Sequence, residues 1–198
     1  DSSGDEDLLT LLKAYIRARY EKPGEVYLGL VHRLDRPVGG VMVFAKTSKA
    51  AARLSAQFNS HEAKNRYCAI VSGHPKAQEY LTDWLYKDET TFSSRVVPKG
   101  TDGAKEARLS YALLGQAETT ALLDIELYTG RPHQIRVQLS HAGYPIFGDQ
   151  RYAPNAPVGE QIRLWAYALT LSHPTLKEPM TFFSAPPWSE GEFAPQIA

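Results

Sequence analysis

The segment Val31-His32-Arg33-Leu34-Asp35-Arg36 sets one carboxylate between two guanidinium groups, at the end of the apolar run Val26-Tyr27-Leu28-Gly29-Leu30-Val31. The run reads as a buried strand, and the Gly39-Gly40 that follows reads as a turn. A strand ending this way presents its last polar groups at the edge of a core. A carboxylate at the mouth of a cleft can attack a sugar carbon or a base ring. The same charge pattern also suits a structural ion pair or a turn-capping aspartate. Spacing alone leaves both roles open.

Two further segments carry polar groups. Thr129-Gly130-Arg131-Pro132-His133-Gln134-Ile135-Arg136-Val137-Gln138-Leu139 runs into His141-Ala142-Gly143-Tyr144-Pro145-Ile146-Phe147-Gly148-Asp149. Arg66-Tyr67-Cys68-Ala69-Ile70-Val71-Ser72-Gly73 reads as a strand with a tyrosine near its start. With His32-Arg33-Leu34-Asp35, these pieces resemble the RluA-like family of RNA pseudouridine synthases. They occur in that family's order, and the resemblance runs from about Val26 to about Phe183.

The resemblance implies isomerisation of uridine to pseudouridine in structured RNA, either rRNA or tRNA, without cofactor or metal. Asp35 stands at the catalytic aspartate position. Arg136 matches the arginine that pairs with it and would aim it. Tyr67 matches the active-site tyrosine, whose ring can stack on uracil and whose hydroxyl can take part in proton transfer. Leu139 matches an apolar position that walls the base. A uridine inside folded RNA must be extruded from its stack. Arg33 or Arg36 could fill the vacated space or hold the backbone, and Arg36 is the preferred candidate. His32 suits RNA contact or a structural role at the strand end. His133 and Gln134 are expected to order the Arg136 segment, and Gly148-Asp149 to form a structural turn. The chain departs from the family pattern at Arg36-Pro37-Val38-Gly39-Gly40, where a polar stretch ending Thr-Ser-Gly is usual. It departs again at Pro132, where Thr or Ser is common. Both changes alter a loop near the RNA and remove no ionisable catalytic group.

Two other functions compete. A nucleoside or glycoside hydrolase would need a second carboxylate near Asp35, for which Asp149 and Glu62 are the candidates. A non-catalytic RNA-binding module could keep the fold without the chemistry, but the joint presence of Asp35, Tyr67 and Arg136 argues against decay.

The 198 residues suit one domain, and 43% hydrophobic residues can build a sizeable core. No apolar run approaches the roughly 20 residues that span a bilayer. The acidic start, Asp1-Ser2-Ser3-Gly4-Asp5-Glu6-Asp7, lacks the pattern of a secretory leader. Residues 1–25 are expected to be a helix and linker, and 26–198 the catalytic domain. The single cysteine, Cys68, suits a reducing compartment and a small core position. A cytoplasmic monomer is expected. The six histidines are scattered, and no metal-ligand spacing or phosphate-binding loop appears. Net charge is zero, yet residues 31–71 carry seven basic and two acidic side chains. That segment could contact phosphates or be a solvated face.

Periodicity predicts helices over Asp7–Tyr20, over Lys49–Ser60 with Ser48 as cap, and over Pro132–His141. It predicts strands near Val26–His32, Val41–Ala45, Tyr67–Val71, Ala107–Leu114, Thr120–Tyr128, Ile162–Leu171 and Met180–Phe183. Residues 76–103 read as a hairpin with long connections. The expected architecture is an α+β domain on a mixed, mostly antiparallel sheet flanked by helices.

Overall fold

The computed structural model describes residues 6–188 and residue 193. Its first element, α1 (Leu8–Arg19), is capped by Asp7, whose carboxylate accepts from the Thr10 N–H at 3.0 Å. Two very short strands, β1 (Gly29–Leu30) and β3 (Phe44–Ala45), pair antiparallel, and β2 (Gly39–Gly40) lies between them in sequence. Helix α2 (Ser48–Asn59) presses Leu54, with Ala50 and Phe58, onto Leu169 and Leu171. The remaining elements are β4 (Lys64–Ser72), β5 (Gln78–Asp88), β6 (Ser93–Val97), β7 (Lys105–Gln116), β8 (Thr120–Leu127), α3 (Gln134–His141), β9 (Leu164–Ser172) and β10 (Pro179–Phe183).

The main sheet has the order β10-β9-β4-β8-β7-β5-β6, with β2 added to β9. Every pairing along that order is antiparallel; β2 joins β9 in parallel. The α+β class and the mostly antiparallel sheet are therefore as the periodicity implies. The central strands β4 and β8 alternate. One face carries Tyr67, Ala69, Val71, Leu123 and Ile125 into the main core, beneath Ile135 and Leu139 of α3. The other carries Cys68, Ile70 and Leu122, which meet Trp188 and Phe193. Cys68 is a buried, unpaired thiol, and burial, with the charge of Asp124, pushes it up to about 12. It is a core residue and a poor nucleophile.

Several boundaries differ from expectation. The run before Asp35 is not a buried strand: only Gly29 and Leu30 pair, and Tyr27 and Leu30 stay 50% and 45% exposed. A strand at the rim of a two-stranded ribbon has no second layer to bury its outer face. Gly39-Gly40 is not a turn but a close approach to β9. A Cβ on Gly39 would sit 2.0 Å from Cζ3 of Trp165, and one on Gly40 would sit 2.2 Å from the Ala166 carbonyl oxygen. Gly40 also has φ +128°, which favours glycine. Thr47, not Ser48, caps α2, accepting from the Ala50 N–H at 3.1 Å. Helix α3 starts two residues later than the proline suggests, because His133 turns left-handed with φ 55°.

Candidate active site

Helix α3 is only eight residues long, yet six of them are buried. A helix enclosed this way must partner its polar side chains inside the protein. Gln134 Oε1 accepts from the Thr129 hydroxyl at 2.7 Å and the Arg131 N–H at 3.0 Å, and its amide donates to the Arg108 carbonyl at 3.0 Å. That ties the 129–131 loop to β7. Gln138 donates to Asp83 at 2.7 Å and to the Ala107 carbonyl at 3.3 Å. Arg136, 5% exposed, donates from Nε and Nη2 to the two oxygens of Asp149 at 2.8 and 2.7 Å. Its remaining arm, Nη1, reaches Asp35 Oδ2 at 3.4 Å.

Arg136 thus aims Asp35, but Asp149 aims Arg136. Burial alone would push the Asp149 carboxyl up. The Arg136 fork and the Arg151 and Tyr152 N–H groups outweigh it and hold the group below the usual carboxylate range. Burial likewise opposes the charge of Arg136, and Asp149 and Asp35 more than restore it. The Tyr152 ring lies 5.1 Å from the guanidinium carbon. The sequence places Asp149 only in a structural turn or as a hydrolase's second carboxylate, and gives Tyr152 no part; the structure sets both against Arg136. The signal for Asp149 was its Gly148-Asp149 turn, 13 residues beyond the arginine; Tyr152 gave none.

Asp35, Tyr67 and Arg136 meet at one open cleft of about 660 Å³, with Arg33, Arg36, His133, Gln134 and Ile135 also on its walls. Tyr67 is buried at its floor. Desolvation, and then the charge of Asp35, raise its hydroxyl well above the ordinary value. A β-bulge between Arg66 and Tyr67 breaks the β4–β9 register beside it, as bulges near functional sites do. Leu139 is fully buried in the core and does not line the cleft; Ile135, one turn earlier, does. His32 faces away. Its Nε2 accepts from the Val43 N–H at 3.0 Å, its ring stacks on Phe58 at 4.4 Å, and burial lowers its pKa to about 4. It is a structural histidine.

The basic 31–71 segment does not form one patch. Arg66 forks onto Asp124 on the opposite face of the sheet, and Arg53 donates to the Pro174 carbonyl at 2.8 Å. Only Arg33 and Arg36 of that segment line the cleft, and Lys87 and Arg131 join them from elsewhere. Among the described residues, no group of three His, Cys, Asp or Glu side chains could hold a metal ion. No helix among them is long and apolar enough to cross a membrane.

Residues 2–141 match the family model described as RNA pseudouridylate synthase. This chain belongs to that family. Its resemblance to the RluA-like branch extends over most of this chain. It is 39% identical to the dual-specificity RNA pseudouridine synthase RluA of Salmonella typhi over 156 residues, covering 77% of this chain and 70% of the relative. It is 37% identical to an uncharacterized RNA pseudouridine synthase of Chloroflexus aurantiacus over 83% of the chain and 52% of the relative. It is 36% identical to the ribosomal large subunit pseudouridine synthase D of Zymomonas mobilis, over 63% and 39% respectively. The chain therefore spans about half or less of the length of those last two relatives. In fold it is similar to the human RNA pseudouridylate synthase domain containing 4, with a TM-score of 0.74 over 96% of this chain and 81% of that one, at 23% identity.

Proposed function

We propose that the chain isomerises uridine to pseudouridine in structured RNA, rRNA or tRNA, in the cytoplasm, with Asp35 as the essential carboxylate. The observation that carries this reading is the convergence of Asp35, Tyr67 and Arg136 on one cleft. At about 660 Å³, the cleft lies within the roughly 300–1,000 Å³ of small-molecule sites. An extruded nucleotide is of suitable size. Isomerisation breaks the N1–C1′ bond, turns the uracil and joins C5 to C1′, releasing the C5 hydrogen to water. Asp35 acts on the nucleotide, Tyr67 lies against the base, and Arg136 keeps the carboxylate in place. Arg33 and Arg36, exposed at the rim, contact the RNA around the vacated stack.

The hydrolase reading fares worse. Asp149, the carboxylate next to the Asp35–Arg136 pair, is 1% exposed and already accepts from Arg136 and two backbone N–H groups. It is not placed to activate water. Glu62 lies beyond α2 and off the cleft.

The test is release of tritium from bulk rRNA and tRNA labelled at uridine C5, for the wild type and for Asp35→Asn. Release to water by the wild type alone supports the isomerase. Labelled free uracil overturns it in favour of hydrolysis. RNA binding without release by the wild type would leave the binding module as the better description.

A further inference from the structure

His133 enters the sequence reading only as support for its neighbour. Its surroundings give it a more specific part. The Ser94 N–H donates to the Tyr152 hydroxyl oxygen at 2.9 Å, and the same oxygen lies 2.7 Å from His133 Nδ1. Ser94 is itself buried and anchored, its hydroxyl donating to the Pro132 carbonyl at 2.8 Å. A tyrosine hydroxyl has one proton to give. Among the described residues, the acceptor in reach of that proton is Nδ1. Every atom of the chain is satisfied when Ser94 donates to Tyr152 and Tyr152 donates to Nδ1. A neutral imidazole whose Nδ1 accepts carries its hydrogen on Nε2.

The ring is kept neutral. Burial lowers its pKa, and the positive charges of Arg136 and Arg151 act in the same direction, against Asp35 and Asp149. Nε2 has no protein partner among the described residues. His133 lines the catalytic cleft and also a neighbouring trough of about 650 Å³, where Arg36, Arg136 and Arg151 are on the walls with Asp149 and Glu160. A strand whose target nucleotide occupies the cleft can continue through that trough, past three guanidinium groups. The left-handed turn at His133 sets the ring at the junction.

On the reading that the cleft takes a nucleotide of RNA, we propose that His133 is a substrate-positioning residue whose Nε2–H, fixed by the Ser94–Tyr152–His133 chain, donates to a backbone phosphate oxygen where the RNA strand passes from cleft to trough. A neutral donor suits that place. It holds a phosphate without adding charge beside Asp35.

The test has two parts. Nitrogen NMR of the ring reports the tautomer directly: an Nε2–H imidazole is expected, and an Nδ1–H imidazole overturns the proposal. Binding is then measured with fluorescent decauridylate and with its methylphosphonate counterpart, which lacks the anionic oxygens. His133→Asn tolerates the left-handed backbone but places its amide at the Nδ1 position. His133→Gln places an amide near Nε2. Asparagine should weaken decauridylate binding about 10-fold, the scale of one hydrogen bond to a charged group, and glutamine should restore most of it. The asparagine change should weaken methylphosphonate binding clearly less, because that linkage keeps only a neutral phosphoryl oxygen as acceptor. Equal weakening on both probes, no weakening on either, or failure of the wild type to bind decauridylate overturns the proposal. Tritium release is scored separately. Discrimination between the probes without release would mean that the isomerase reading fails while His133 still holds a phosphate.

Discussion

Asp149 holds Arg136 with both carboxylate oxygens, at 2.8 and 2.7 Å, whereas Asp35 receives the same guanidinium through one contact of 3.4 Å. The structural half of the cluster is therefore the buried pair, and the half exposed to the cleft is held loosely. Removing one partner of a buried pair strands the other charge, at a cost of about 3–5 kcal/mol. Asp149→Ala should lose that much in chemical denaturation. The wild type should also show the acid limb this pair implies. Because the folded protein holds Asp149 below its usual range, the pair's stabilisation is present above about pH 4, near the unfolded value. It is lost as pH falls through the lower folded value. Asp149→Asn should flatten that limb.

Asp35 should behave in the opposite way. It is 27% exposed and makes one long contact, so Asp35→Asn should change stability by no more than about 1 kcal/mol. Under the proposed chemistry its turnover should fall at least 10²–10⁴-fold, the scale of a positioned acid–base group. Unfolding curves and tritium release on the same preparation check both halves.

His32 gives a second pH signature. Its folded pKa of about 4 lies below the unfolded value near 6.5. The neutral ring's contribution is thus complete above about pH 6.5 and lost as pH falls towards 4, about 3 kcal/mol in all. His32→Asn keeps an acceptor and cannot titrate in this range. The wild type should lose stability against that variant between pH 6.5 and 4, measured by urea midpoints.

Gly39→Ala should damage both fold and site. The new methyl would lie 2.0 Å from the Trp165 ring, so the ring or β2 must shift. Overpacking of this kind costs about 1–3 kcal/mol or more. Asp35 and Arg36 lie just upstream, and turnover should fall further than stability predicts.

Arg151 donates to the Thr91 and Phe92 carbonyls at 3.2 and 2.8 Å, tying the β5–β6 hairpin tip to the turn after Asp149. Phe92 and Lys87 of that hairpin line the cleft. Arg151→Ala should cost about 1 kcal/mol or less, since the contacts are exposed. Amide exchange at residues 91–93 should quicken, and the KM for RNA should rise several-fold.

The sequence was legible where one element decides its own structure. Helix α2 shows its inward stripe in Ala50, Leu54 and Phe58, and β7 and β8 show their alternation. It was least legible where a distant partner decides. Gly39-Gly40 spells a turn until Trp165 and Ala166 are seen against it. Val26–Val31 is apolar enough for a buried strand, yet the fold covers it on one side only, with α2, and leaves Tyr27 and Leu30 exposed. Asp35, Tyr67 and Arg136 could be picked out because their motifs are local, and the structure brings them to one cleft. The roles of Asp149 and Tyr152 could not, because each depends on what it meets across the chain.

The pleat of β4 imposes a rule of parity at Tyr67: the extra residue of the bulge, Tyr167, belongs to β9, and the β4–β8 register runs unbroken. Alternate residues of β4 face opposite ways, so Arg66 and Tyr67 serve separate surfaces. One residue inserted or deleted in β4 ahead of Arg66 would exchange their faces, offering a guanidinium to the cleft and turning the phenol to the side of Asp124. Length changes that lineages can accept here should come in twos, or singly when matched by another bulge. A family drifting in loop length and substrate would still find this stretch of strand countable, residue for residue.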